Sequence, residues 1–106
     1  MKKLFALLVL AGLANAAVSA EIVGDAKAAA NKVAMCIGCH GIPGYKTSFP
    51  EVYQVPMLGG QSEKYIIAAL NAYKKGDRNH PTMHGIAASM SDQDIADVAA
   101  YYAQQK

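Results

Sequence analysis

Cysteine is scarce in this sequence. There are two, at positions 36 and 39, so neither a framework of several disulfides nor a four-cysteine metal site can be built. Charge of one sign is missing as well. Ten Lys and Arg face eight Asp and Glu, and the excess is accounted for by Lys2 and Lys3, which leaves residues 21–106 formally neutral. A neutral stretch without a basic stripe lacks the electrostatic footprint that a phosphate backbone requires, and nucleic acid is excluded as a partner. After residue 20 no apolar run approaches the ~20 residues of a membrane-spanning helix. Internal repeats, low-complexity tracts and alternating strand patterns are absent from this part too.

What the first twenty residues do contain is the layout of a signal peptide. Lys2 and Lys3 form the positive start, residues 4–13 an apolar run, and Val18-Ser19-Ala20 the small residues at which a signal peptidase cuts. The expected division is a leader over residues 1–20, cleaved after Ala20, and one domain over residues 21–106, exported to the periplasm with no membrane span left after cleavage. At that size a hydrophobic core alone is marginal, and a further staple is needed.

The domain reads as all-α, with three main helices joined by long loops. The first helix is expected from about Asp25, as N-cap, through Val33 and Ala34 into the cysteine pair. The second follows the cap Ser62 and Glu63 and closes with Lys74 and Lys75 before Gly76, with Tyr65, Ile66, Ala69, Leu70 and Tyr73 on one face. Ser91-Asp92-Gln93-Asp94, close to a capping box, opens the third, which buries Ile95, Val98, Ala99 and Tyr102. The loop of about twenty residues after the first helix contains Pro43, Pro50 and Pro56, and a loop that long in a compact domain has something to wrap. Residues 77–90 are expected to be a second loop, carrying His80, Met83, His84 and Met90.

Cys36-Ile37-Gly38-Cys39-His40 has the five-residue form that attaches c-type haem. Two thiols three positions apart can add to the two vinyl groups along one porphyrin edge, and the next residue, His40, is carried under the iron as proximal ligand. One covalently held haem would also be the missing staple. The same residues could otherwise form a disulfide-exchange site, which wants a parallel sheet around it, or a zinc site completed by His80 and His84. A plain disulfide across so short a loop would restrain little chain entropy.

The sixth iron ligand decides between uses, because an open position suits small-molecule chemistry and a Met closes it in favour of electron transfer. Met35 stands beside Cys36 on the proximal side, and Met90 is suited to packing against Ile95 as a hydrophobic staple. Met83, in His80-Pro81-Thr82-Met83-His84-Gly85, is the favoured distal ligand; Gly85 would let the backbone come close to a bound group. His84 is the main rival, Met57 a minor one, and His80 is expected as a solvated loop residue.

The order of motifs resembles class I cytochromes c over essentially the whole of residues 21–106. The run Pro56-Met57-Leu58-Gly59-Gly60-Gln61, then Tyr65, Tyr73, Gly76 and Arg78, then Met83, Gly85 and Ser91-Asp92-Gln93-Asp94-Ile95, is similar to the short cytochromes c553 and to each half of dihaem cytochrome c4. The resemblance implies the small class I cytochrome c fold. It implies haem attachment at Cys36 and Cys39, axial ligation by His40 and Met83, and a hydrogen bond from the ligand imidazole to the Pro56 carbonyl. It further implies that the first and third helices cross. Residues 42–55, with Tyr45, Phe49 and Tyr53, are longer than the equivalent in the dihaem proteins, and Met57 stands where those often have Lys.

The expected function is one-electron transfer between redox proteins through a single His/Met-ligated haem, with transient donors and acceptors and no catalytic residues. Lys46, Lys64, Lys74, Lys75 and Arg78 are candidates for a docking rim. The alternatives are a haem enzyme or gas sensor with a displaceable sixth ligand, and an electron-transfer subunit of a larger oxidoreductase.

Overall fold

A computed structural model describes residues 21–48 and 52–105. The expected leader and its cleavage site, and Phe49 and Pro50 of the long loop, lie outside the described residues.

The described residues form four α-helices and one small hairpin. A single 3-10 turn (Ala28–Asn31) leads into α1 (Ala34–His40), and strands β1 (Lys46–Thr47) and β2 (Tyr53–Gln54) follow. Then come α2 (Glu63–Lys75), α3 (Pro81–Ala88) and α4 (Asp92–Ala103). The first helix therefore differs from expectation. Asp25 does not cap a continuous helix. Its carboxylate instead accepts from the amides of Lys27 (2.9 Å) and Ala28 (3.4 Å), the local bonding by which Asp favours turns over helix interiors.

The second and last helices form where their sequence signals place them. Ser62 caps α2, and Gly76 ends it with a positive φ of 86° that costs a residue without Cβ nothing. In α4 the Ser91 hydroxyl accepts from the Asp94 amide, and the Asp94 carboxylate accepts from the Ser91 amide, a complete capping box with the shorter acid. Ile95, Val98, Ala99 and Tyr102 are buried.

Two expectations are corrected. Residues 77–90 are not a loop throughout, because α3 occupies most of them: Pro81 sits at the first helical position, where its missing N–H is no loss, and the His80 side chain accepts from the Met83 amide. Histidine is a weak cap by statistics, so the start signal was easy to miss. Strands are also present, as an antiparallel pair with Lys46 opposite Gln54 and Thr47 opposite Tyr53.

The core forms where α2 and α4 meet, with Ile66, Leu70, Met90, Ile95, Val98 and Tyr102, and it extends through Ala29, Val33 and Cys36 of the first segment. Asp97 is the one buried charged side chain among the described residues, 2% exposed. It accepts hydrogen bonds from the Asp25 amide (2.8 Å), Gln93 Nε2 (2.8 Å) and Lys32 Nζ (2.6 Å), and Lys32 also reaches Asp94 at 2.8 Å. This network fastens residues 25–32 across α4 and sets where α1 begins.

A cysteine, histidine and methionine-lined cavity

α1 is short and carries Cys36, Cys39 and His40. The two cysteines are three apart and share one face of the helix. Both border a cavity of about 380 Å³, within the ~300–1,000 Å³ usual for sites that enclose a small molecule. His40 borders it from the same side. Met83 and Ile86 of α3 also line it, and α2 contributes Tyr65, Ile66, Ala69, Leu70 and Tyr73. The long loop forms a third wall from Thr47, Gln54 and residues 55–58, so the hairpin and the proline-rich segment wrap the cavity.

His40 is fixed by a hydrogen bond. Its Nδ1 lies 2.7 Å from the Pro56 carbonyl oxygen, which has nothing to donate, so Nδ1 carries the proton and Nε2 is left as the bare nitrogen. A metal-binding histidine is commonly held in this way by a partner on its other ring nitrogen.

Other readings of the motif find less support. Burial pushes the Cys36 thiol up, the reverse of the depressed value that an exchange thiol needs. Cys36 and Cys39 are not joined to each other. Among the described residues no group of three or more His, Cys, Asp or Glu is placed to hold a metal ion, and the His84 ring is turned to the Tyr73 carbonyl. Two cysteine sulfurs, an oriented imidazole and a thioether around a mostly apolar cavity do fit a covalently held porphyrin and its iron.

The rival ligands stand differently towards the cavity, which Met57 and Met90 line together with Met83. His84 does not border the cavity, and its Nδ1 lies 2.7 Å from the Tyr73 carbonyl oxygen. Met57 borders it but is 52% exposed. Met90 is buried in the core and also reaches the wall. His80 was missed: it is half-buried and lines the cavity beside Met83, rather than standing in solvent. Its signal was the Pro one residue on, which marks a helix start and therefore a cap. Gly85 sits in α3 with open space around its absent Cβ and is not among the residues that border the cavity.

Of the candidate docking cations, Lys46, Lys64 and Lys75 are exposed. Two others have tasks within the chain. Lys74 donates to the Met90 carbonyl at 2.5 Å and lies 3.8 Å from Asp92, and the Arg78 guanidinium stands 4.6 Å from the Tyr73 ring centroid while lining the cavity.

A covalent-haem motif on a short helix and a methionine-bearing helix, both lining one mostly apolar cavity, define a haem-binding protein of the helical type. The chain belongs to the Cytochrome c family, whose model it matches over residues 25–106. It is 41% identical over 97 residues to cytochrome c4 of Pseudomonas aeruginosa, a match covering 92% of this chain and 43% of that protein. It is 41% identical over 86 residues to cytochrome c-554(548) of Halomonas halodenitrificans, covering 78% of this chain and 99% of that one. The crystal structure of reduced recombinant cytochrome c4 from Pseudomonas stutzeri is similar at a TM-score of 0.63 and 38% identity, over 79% of this chain and 47% of that one. The chain thus spans about half the length of the cytochromes c4 it matches and nearly all of cytochrome c-554(548). The fold is that of class I cytochromes c, and the cofactor of the family is covalent haem c with its iron, for which Cys36 and Cys39 are the two attachment cysteines. Among the described residues no helix is long and apolar enough to cross a membrane.

Proposed function

We propose that this chain is a single-haem periplasmic electron carrier, with His40 and Met83 as axial ligands, which passes one electron at a time between larger redox proteins. The observation that carries the reading is the shared cavity: Cys36, Cys39, an imidazole held by Pro56 and Met83 all border it. Haem supplies the reversible one-electron couple of its iron. Cys36 and Cys39 tether the group by one edge, so that it stays with the chain through each cycle. His40 keeps its ring orientation through the Pro56 carbonyl. The Met83 thioether closes the last position and favours the reduced state, while the apolar wall of Ile66, Leu70, Ile86 and Val98 excludes water. No substrate has to bind the metal, and no residue has to act as acid or base.

Docking falls on the open rim of the cavity. Met35, Met57 and Tyr65 line it and are 45%, 52% and 54% exposed, an apolar edge suited to brief contact with another redox protein. Residues 1–20 would direct export and be cleaved after Ala20.

The test is the visible spectrum of protein exported in a host that loads c-type haem, oxidised and reduced, with and without carbon monoxide. Low-spin bands unmoved by carbon monoxide, with the weak red band of thioether-bound ferric iron, are expected. A carbon monoxide shift would instead assign the chain to ligand-binding chemistry, and absence of covalent haem would overturn the proposal.

A further inference from the structure

The helix that carries Met83 is fastened differently from its neighbours. α2 and α4 begin at serine caps, Ser62 and Ser91, whereas α3 begins at a histidine. His80 holds an extended backbone (φ −159°, ψ 101°), and its Nδ1 accepts from the Met83 amide at 3.2 Å. The same ring meets Tyr73 edge-on, with centroids 6.1 Å apart and planes at 78°. One turn later His84 returns to the same tyrosine, its Nδ1 donating to the Tyr73 carbonyl oxygen at 2.7 Å. The His84 amide also donates to the His80 carbonyl oxygen at 2.8 Å. Tyr73 in turn belongs to the last turn of α2, where its carbonyl receives the Gly76 amide at 3.2 Å, and its ring lies under Arg78.

We propose that His80 and His84 form a clamp on Tyr73 that sets the height and rotation of Met83 on α3 and thereby holds its sulfur at the iron. The inference rests on Met83 being the axial ligand. Its physical content is that a ligand on a helix of two turns is placed only as well as that helix is fixed. Here one histidine fixes the first turn from within, by taking the Met83 amide, and the other ties the next residue to α2. The same contact explains why the neighbouring imidazole does not compete with the thioether: the Nδ1 side of His84 is engaged with the Tyr73 carbonyl, and the residue does not border the cavity.

The two rings are used in opposite tautomers, which makes the clamp separable from general packing. His80 needs a bare Nδ1 to accept from an amide, and His84 a protonated Nδ1 to donate to a carbonyl. An asparagine amide puts an acceptor oxygen or a donor nitrogen at the same distance along the side chain, so it replaces either one, whereas alanine replaces neither.

The experiment compares haem-loaded wild type with His80→Ala, His84→Ala, His80→Asn, His84→Asn and Ser91→Ala, the last removing the cap of α4 instead. The red band of the oxidised form and the carbon monoxide affinity of the reduced form are measured, together with the guanidinium midpoint. Each alanine variant at a histidine should raise carbon monoxide affinity about fivefold, the worth of one hydrogen bond, and weaken the red band. The asparagine variants should stay within about twofold of wild type, and Ser91→Ala should lower the midpoint comparably without changing either haem signal. Unchanged signals in both alanine variants, or an equal change in Ser91→Ala, would overturn the clamp while leaving the ligand assignment intact. Wild type without a red band would overturn the assignment and the clamp with it.

Discussion

Asp97→Ala should cost the fold about 3 kcal/mol, because it removes a buried acceptor on which three donors converge. The carboxylate takes the Asp25 amide and Gln93 Nε2, each at 2.8 Å, and Lys32 Nζ at 2.6 Å. A hydrogen bond to a charged group is worth about 1.5–3 kcal/mol and one between neutral groups about 1. The Lys32 side chain is 29% exposed and already has a second acid, Asp94, at 2.8 Å, so water and that acid leave it little part in the cost. The Asp25 amide loses its carboxylate acceptor and Gln93 Nε2 keeps only the Val23 carbonyl at 2.9 Å, so two bonds to a charged acceptor, at about 1.5 kcal/mol each, account for the cost. With a guanidinium slope of about 3 kcal/mol per molar for a chain of this size, the unfolding midpoint should fall by about 1 M at pH 7. Circular dichroism of the haem-loaded protein measures it.

The pH dependence has a definite sign. Lys32 first, then the Asp25 amide and Gln93, hold the Asp97 carboxyl below its usual value, and Lys32 together with Ser91 takes Asp94 down to about 2. A carboxyl with a lowered folded-state pKa stabilises above its unfolded value of about 3.9, and that stabilisation is lost as pH falls through the folded value. The difference between wild type and Asp97→Ala should therefore be full at pH 7 and shrink below about pH 4. A midpoint shift under about 0.3 M, or a difference that widens in acid, would refute the assignment of Asp97 as the fastening between the first segment and α4.

Gly24→Ala should destabilise by about 1–3 kcal/mol in a thermal melt, since its Cβ would fall 2.2 Å from the Ala96 carbonyl oxygen and 2.7 Å from its carbon, both backbone atoms. Tyr102→Phe should be neutral or stabilising by about 1 kcal/mol in denaturant titration, because the buried Tyr102 hydroxyl has no hydrogen-bond partner among the described residues. Burial, the largest cause, pushes that phenol up to about 12, so wild type should lose stability as pH rises from about 10 towards 12 while Tyr102→Phe is spared that part. Met83→Ala should abolish the red band, admit carbon monoxide to the reduced iron and cost about 2 kcal/mol of packing, read by spectrum and melt.

Local chemistry alone determined a large part of this protein. The haem motif is contiguous, so Cys36, Cys39 and His40 were legible without any fold. α2 and α4 were legible because Ser62, Gly76 and the box at Ser91 act within one turn of themselves, and the apolar spacing between them repeats with the helical period. Where a segment's state depended on something distant, the sequence was silent. α3 read as a loop because its cap is a histidine whose ring is steadied by Tyr73 of another helix. The helix expected from Asp25 broke because the Asp25 amide goes to Asp97, a partner 72 residues away, while its carboxylate closes a local turn. The meeting of Pro56 with His40, the turning of His84 to the Tyr73 carbonyl and the place of His80 at the cavity wall are likewise tertiary facts. Spacing along a chain specifies which groups can share a helix face, but only packing decides which face of one helix is opposed to which face of another.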